Sequence, residues 1–315
     1  MTRRALITGG AGFIGSHVAD TYLAAGWDVT IIDNLARGKP EHVPRAATFK
    51  RLDVGSEEAR DLVAKGGFEV VAHLAAQIDV RVSVADPVLD AEENILALLN
   101  MLEGARAGGV RRFIFSSSGG VVYGEGHPPH IETAPKLPIS PYGVSKLSTE
   151  FYLACYRTLY GLESFCLRYA NVYGPRQDPH GEAGVVAIFC NRLRDSRTIT
   201  IYGDGSQTRD YVYAGDVARA NLLAADAPMP AADGTIDPWG VNIGTGIETS
   251  VVELAKSLMA ATGRSVAIEN APPRPGELQR SSLRIEKAAR VLNWKPEVDL
   301  PEGLRRTYDW IVKAG

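Results

Sequence analysis

The sequence predicts an α/β fold in which a doubly wound parallel sheet is followed by a smaller α/β region. Three observations predict it. Short apolar runs alternate with helical patterns over the first half of the chain, the mark of strands buried on both faces and joined by helices. A glycine-rich turn follows the first apolar run and opens the first helical one. Beyond Tyr169 the alternation decays and proline and glycine multiply, as in Gly174-Pro175, Pro228-Met229-Pro230 and Pro272-Pro273-Arg274-Pro275-Gly276.

The elements follow in order. Arg4–Thr8 reads as a buried strand, and a helix over Phe13–Ala25 places Ile14, Val18 and Tyr22 on one face before Gly26 stops it. Asp28–Asp33, Glu69–Leu74, Arg111–Ser117 and Glu163–Tyr169 read as strands. Ser56–Lys65, Val88–Ala107 and Pro141–Tyr160 read as helices between them. In the second half, Thr198–Tyr202, Trp239–Ile243 and Val266–Glu269 are strand-like pieces separated by two or three helices. The chain thus divides into residues 1–170 and 171–315, with segments near 205–245, Gly240–Gly244 among them, expected to return to the first sheet.

Composition narrows the function. With 34 basic and 37 acidic residues the net charge is −3, which offers no electrostatic reason to bind nucleic acid or an anionic membrane. No apolar run is long enough to span a bilayer, and Met1-Thr2-Arg3-Arg4 leads straight into a strand, so no secretory leader is expected. Cys155, Cys166 and Cys190 are too few and too scattered for a disulfide framework or a zinc site. A cytoplasmic protein without a metal is the expectation.

The turn Thr8-Gly9-Gly10-Ala11-Gly12-Phe13-Ile14-Gly15 spaces Gly9, Gly12 and Gly15 as G-x-x-G-x-x-G. One glycine makes the turn, one lets a pyrophosphate approach the backbone, and one lets helix and strand pack closely. A plain βα turn also uses glycine, so context decides. Asp33 ends the second strand 18 residues after Gly15, where a carboxylate accepts from an adenosine ribose and repels a 2′-phosphate. That favours NAD over NADP, with Arg37 and Lys39 close behind. Asp53 follows the third strand, in reach of the adenine edge, and the small residues of His73-Leu74-Ala75-Ala76 leave room for a flat cofactor. His73 itself reads as a packed, hydrogen-bonded histidine.

Ser140-Pro141-Tyr142-Gly143-Val144-Ser145-Lys146 starts a helix, with Ser140 as N-cap and proline in the first position. Tyr142 and Lys146 are then i and i+4, on one face. An ammonium there stabilises the phenolate, drawing the tyrosine down from its ordinary value of about 10 toward working pH. In an arbitrary protein Y-x-x-x-K is a surface tyrosine and a solvated lysine; its place after a dinucleotide turn favours catalysis. Ser116-Ser117-Ser118 ends a strand and offers a hydroxyl to the same substrate oxygen, from Ser117 or Ser118.

Together T-G-G-A-G-F-I-G, H-L-A-A, the serine run and Y-x-x-x-K resemble the extended short-chain dehydrogenase/reductase family, in its NAD-dependent epimerase/dehydratase branch, and most of all the members that epimerise UDP-hexoses at C4. The resemblance implies a Rossmann domain and a catalytic set of Ser118, Tyr142 and Lys146. It implies that Gly9, Gly12, Phe13 and Ile14 hold the pyrophosphate, that Asp33, Asn34 and Gly38 surround the ribose, and that Asp53 and Val54 flank adenine. Leu74, Ala75, Ala76 and Gln77 would line the dinucleotide and Asn94 would support the loops. Ser116, Tyr142, Lys146 and Tyr169 would lie at its nicotinamide end.

For the sugar nucleotide, the resemblance implies contacts from Ser118, Tyr142, Asn171, Val185, Thr200 and Val251. Tyr202 would lie on the uracil, Arg209 and Arg274 would clamp the diphosphate, and Glu277 would accept from the ribose. By the same resemblance Ser281 would border the sugar's 2-substituent, its small side chain leaving room for N-acetyl sugars. The implied reaction is C4 epimerisation of UDP-glucose and UDP-galactose, with UDP-GlcNAc and UDP-GalNAc, through a 4-keto sugar. Dehydratases of the family carry an acid after the catalytic Ser/Thr, whereas Gly119-Gly120 follows Ser118. A UDP-glucuronate 4-epimerase or decarboxylase, with Arg81 serving the carboxylate, stays open, as does a non-catalytic NAD(H) sensor. Homodimerisation is expected through the Val88–Ala107 and Pro141–Tyr160 helices, the second carrying Phe151, Leu153, Tyr156 and Leu159.

Overall fold

The computed structural model describes residues 2–179, 184–273 and 278–314. Seven strands form the main sheet: β1 (Arg4–Thr8), β2 (Asp28–Ile32), β3 (Thr48–Lys50), β4 (Val70–His73), β5 (Arg112–Ser118), β6 (Glu163–Tyr169) and, later in the chain, Gly240–Ile243. Between them lie α1 (Phe13–Ala24), α2 (Glu57–Lys65), α3 (Val80–Ala85), α4 (Pro87–Ala91), α5 (Ala97–Ala107) and α6 (Pro141–Tyr160). The second half adds β7 (Asn171–Tyr173), α7 (Val185–Arg194), β8 (Ile199–Tyr202), β9 (Thr208–Tyr213) and α8 (Ala214–Asp226). Then follow β10 (Gly240–Ile243), β11 (Glu248–Ser250), α9 (Val251–Thr262), β12 (Ile268–Ala271), β13 (Arg280–Ser281), α10 (Glu286–Leu292) and α11 (Leu300–Ala314).

The main sheet runs in the order β10-β6-β5-β4-β1-β2-β3, and every ladder in it is parallel. The chain winds outward from β1 on one side and outward from β4 on the other, so the strand order reverses between them. Such a reversal opens a crevice at the carboxyl ends of the strands. Each strand has one residue set for each covering layer. Ile7, Ile31 and Phe165 pack with Val18 and Tyr22 of α1 and Val217 of α8. Leu6, Val71, Phe113 and Phe115 pack with Val63 of α2, Met101 of α5 and Leu153 of α6. A second lobe, built on β11-β9-β13 with β7 beside β9, and on the β12-β8 pair, has its own core around Phe189, Ile199, Leu254 and Leu304.

The helix expected over Val88–Ala107 is continuous from Pro87 to Ala107 but holds a π turn over Glu92–Leu96 between α4 and α5, and α3 stands before it. Asp79 caps α3 by accepting from the backbone of Arg81 and Val82, and Asp86 caps α4 ahead of Pro87. Both caps are standard N-terminal signals. On α6, Leu153 and Tyr156 face the core, and Val144, Phe151, Tyr152, Leu159 and Tyr160 are exposed. No helix among the described residues is long and apolar enough to cross a membrane, and no group of three or more His, Cys, Asp or Glu among them could hold a metal.

Candidate active site

The glycine turn is built by close approach. Gly9 has φ +66° and a Cβ there would come within 2.8 Å of Ala75 N, while a Cβ on Gly15 would collide with the Gly9 carbonyl oxygen. Strand end, turn and first helical residues are therefore locked together at the crevice. Gly12 precedes α1 and supplies no side-chain cap, so the helix start is left for an anion. Phe13 and Ile14 open the helix, half-buried. Asp33 is buried and accepts from Ala11 N at 3.0 Å and Leu35 N at 2.8 Å, and Gly38 lies against its carboxylate. Exposed Asn34 donates to exposed Asp53 at 2.8 Å. Val54, beside it, packs in the core with Leu98 and Val63.

At the end of β4 the Thr8 hydroxyl oxygen accepts from Leu74 N and Ala75 N, both at 3.0 Å. Its own proton is then directed to His73 Nδ1, 3.0 Å away. His73 packs beside the Phe113 and Phe115 rings, and burial, with the Lys146 charge, pushes its pKa down to about 3. It is a neutral structural histidine, as its sequence context suggested. Leu74, Ala75, Ala76 and Gln77 follow, half-buried. This cradle fits a dinucleotide: glycines where a Cβ cannot go, a carboxylate at the ribose end, and small residues along the crevice.

At the other end of the crevice, Ser140 caps α6 by accepting from Gly143 N. Tyr142 is buried, and Lys146 Nζ stands 5.6 Å from its ring centroid and 4.7 Å from that of Phe115. The ammonium donates to Ser116 O at 2.9 Å. Burial lowers Lys146 to about 8, with Asp90 opposing the fall. Ser117 and Ser118 point to opposite faces of β5, as alternate residues must. Ser117 is buried and donates to Glu150 at 2.6 Å; Ser118, half-buried, is on the other face at the strand's end. Tyr169 lies in the core with Val212 and Val217. Its hydroxyl accepts from Asn221 at 2.7 Å and bonds Ser116, and burial pushes its pKa up.

The second lobe brings several expected substrate residues to adjoining strands. Arg209 of β9 is in register with Ser281 of β13 and with Thr249 of β11; its guanidinium donates to Thr208 O at 2.8 Å. Asn171 of β7 faces Tyr211 across the β7–β9 ladder. Thr200 donates to Glu269 and Tyr202 is 39% exposed. Val185 opens α7, half-buried. Val251 is buried in the second lobe's core beside Leu254. Arg274 and Glu277 lie outside the described residues. Arg81 is held by Asp79 at 3.0 Å, and that guanidinium keeps the Asp79 carboxyl down at about 2.

Three acidic residues were not singled out from the sequence. Asp90, fully buried, accepts from Ser145 Oγ at 2.7 Å, Asn94 Nδ2 at 2.9 Å and Gln77 Nε2 at 3.1 Å. Asn94 also donates to Gln77 O, and its own amide oxygen is buried without a partner among the described residues. Glu150, four residues beyond Lys146, pairs with buried Arg168 at 2.6 Å. Asp210 accepts from the backbone and hydroxyl of Thr245 and from Gly246 N, tying the loop after β10 to the strand that carries Arg209. Helical spacing of four from Asp90 to Asn94 and from Lys146 to Glu150 was the only local signal available.

The model of the NAD dependent epimerase/dehydratase family matches residues 5–244. A putative UDP-glucose 4-epimerase of Methanocaldococcus jannaschii is 46% identical over 97% of each chain. The UDP-glucose 4-epimerase of Thermotoga maritima, solved with UDP-glucose, superposes with a TM-score of 0.93 at 46% identity, over 99% of each chain. That of Thermus thermophilus, solved with NAD, gives 0.90 at 45% identity over 99% of this chain and 100% of its own. With the dinucleotide cradle at one end of its crevice and the Tyr142–Lys146 pair at the other, the chain belongs to the NAD-dependent epimerase/dehydratase family of the extended short-chain dehydrogenase/reductases.

Proposed function

We propose that this enzyme interconverts UDP-glucose and UDP-galactose by inverting C4. The observation that carries the reading is the buried Lys146 ammonium held 5.6 Å from the Tyr142 ring at the sheet's carboxyl edge. A desolvated cation beside a phenol favours its anion, and a phenolate is the base that C4 oxidation of a sugar alcohol requires. Tyr142 takes the proton of the 4-hydroxyl, Ser118 holds the same oxygen, and Lys146 stabilises the phenolate. The cradle of Gly9, Gly12 and Asp33 would hold NAD, which would supply the reversible hydride chemistry at C4 that inversion through a 4-keto sugar requires.

Inversion needs a hexose free to turn over while its nucleotide stays anchored. Arg209 and Arg274 serve as the anchor, because a guanidinium fork pairs with phosphate oxygens in bidentate fashion. Glu277 takes the uridine ribose and Tyr202 the uracil face. Ser281, a small residue in register with Arg209, supports acceptance of N-acetyl hexoses.

The test is a panel of UDP-hexoses with purified enzyme, read by exchange between C4 epimers. Conversion of UDP-glucose to UDP-galactose, reduced by about three orders of magnitude in Tyr142→Phe, supports the reading. Exchange confined to UDP-glucuronate, or normal turnover in that variant, overturns it.

A homodimer is part of this proposal. Val88, Leu96, Val144, Phe151 and Leu159 leave an exposed apolar face across α4, the π turn and α6. Beside it a groove of about 550 Å³ is lined by Pro87, Ile95, Ile139 and Val144. Contiguous apolar surface of this kind marks an association site. A cytoplasmic location suits the three free thiols Cys155, Cys166 and Cys190.

A further inference from the structure

The buried ammonium of Lys146 needs an explanation that its direct partners do not supply. Its contacts among the described residues are one carbonyl oxygen, that of Ser116, and two aromatic rings. An ammonium with so little counter-charge ordinarily loses its proton. The acidic groups on the elements around it are mostly committed elsewhere. Glu150, on its own helix, is taken by Arg168 and Ser117. Asp79 before α3 is taken by Arg81. On α5, Glu103 accepts from Arg106 and Tyr156. On the π turn, Glu92 is exposed and Glu93 feels Asp53. His73 of β4 is neutral.

Asp90 is the exception. Its carboxylate is fully buried, and its donors among the described residues are all neutral: the Ser145 hydroxyl and the amides of Asn94 and Gln77. None of the three neutralises it. Ser145 immediately precedes Lys146 on α6, and Gln77 lies in the loop that lines the crevice after β4. The carboxylate is thus fixed to the backbone turn that carries Lys146 and to the cofactor side of the site at once.

We propose that Asp90 is a positioning residue that keeps Lys146 in its ammonium form, and through it lets Tyr142 ionise. The inference rests on the catalytic reading above, and deepens it by naming the residue that arms the base. Charge acts in opposite directions on the two groups. Removing an anion acts directly on a phenol by making it ionise more easily. Removing Asp90 discharges Lys146, and the phenol then ionises with more difficulty. The sign of the shift separates the two.

The experiment is an ultraviolet titration of tyrosinate in the NAD-bound enzyme, with the Tyr142→Phe titration subtracted so that only Tyr142 is read. In Asp90→Asn the midpoint should rise by about one pH unit, and the acid limb of the kcat/KM profile should rise with it. Ser145→Ala, which removes one hydrogen bond and leaves the charge, should titrate as wild type. In a Lys146→Met background, Asp90→Asn should no longer raise the midpoint. Asp90→Ser reads the same loss of charge if the asparagine variant fails to fold. An unchanged or lowered midpoint in the neutral variant, or a rise that persists without Lys146, overturns the proposal. The titration needs no sugar, so an enzyme inactive on every UDP-hexose would still report on Asp90.

Discussion

Ser117 donates its hydroxyl to Glu150 at 2.6 Å, and this contact commits Ser117 to the protein interior. Glu150 is simultaneously paired with Arg168, whose guanidinium also donates to Tyr123 and to Glu132 O. Ser117 therefore belongs to a buried network that joins β5, α6 and β6, while Ser118 at the strand's end is on the opposite face. Ser118→Ala should lower kcat about a hundredfold at unchanged urea midpoint. Ser117→Ala should do the reverse, costing about 1 kcal/mol of stability by leaving Glu150 one donor short while turnover stays within a factor of a few. Kinetics and urea denaturation of the two variants, side by side, check this.

Gly15 is predicted to be irreplaceable even by alanine. Its Cβ would enter the space of the Gly9 carbonyl, and that carbonyl is backbone, which yields only by moving the turn. Gly15→Ala should lose about 2 kcal/mol of stability and should purify with far less NAD than the parent. Thermal denaturation and cofactor content after acid release measure both.

His73 makes stability depend on pH in a definite direction. Its pKa is about 3 when folded and about 6.5 when unfolded, so below 6.5 the unfolded chain binds the extra proton. Stability is fully present above pH 6.5 and is lost at about 1.4 kcal/mol per pH unit as the pH falls from there. His17, His42 and His130 are also lowered by burial and act with the same sign. The share of His73 is the difference between wild type and His73→Asn, whose amide oxygen can still accept from Thr8. Urea midpoints from pH 7 to 5 should fall less steeply in the variant.

The exposed apolar face on α6 predicts the effect of a charge placed there. Phe151 is 56% and Leu159 63% exposed, so replacing both with aspartate leaves the folded chain intact. Phe151→Asp with Leu159→Asp should halve the mass measured by light scattering and leave the thermal transition of the chain cooperative. A wild type that scatters as a monomer would count against the dimer.

Much of the fold is legible in the sequence because each signal is local. The alternation of strand and helix, Ser140-Pro141 at the start of α6, and Pro141–Tyr160 itself all express the geometry of a few neighbouring residues. The helix expected over Val88–Ala107 runs on through a π turn at Glu92–Leu96 that apolar spacing does not announce, and the short α3 before it starts at its Asp79 cap. The four apolar residues noted on Pro141–Tyr160 divide between two sides, with Leu153 and Tyr156 buried and Phe151 and Leu159 exposed. Helical periodicity gives a residue's angle around the axis but does not say how many sides of the helix are covered.

The glycine turn and the Tyr142–Lys146 spacing were written into the chain in full, since a βα turn and one turn of helix complete themselves within a few residues. Three-dimensional packing alone decided that Ser117 is bound to Glu150, that Arg168 neutralises that acid, and that Asp90 sits buried against α6. Those partners are brought together by the order of parallel strands, which is chosen by how whole layers bury their apolar faces, and no local pattern of residues records that choice.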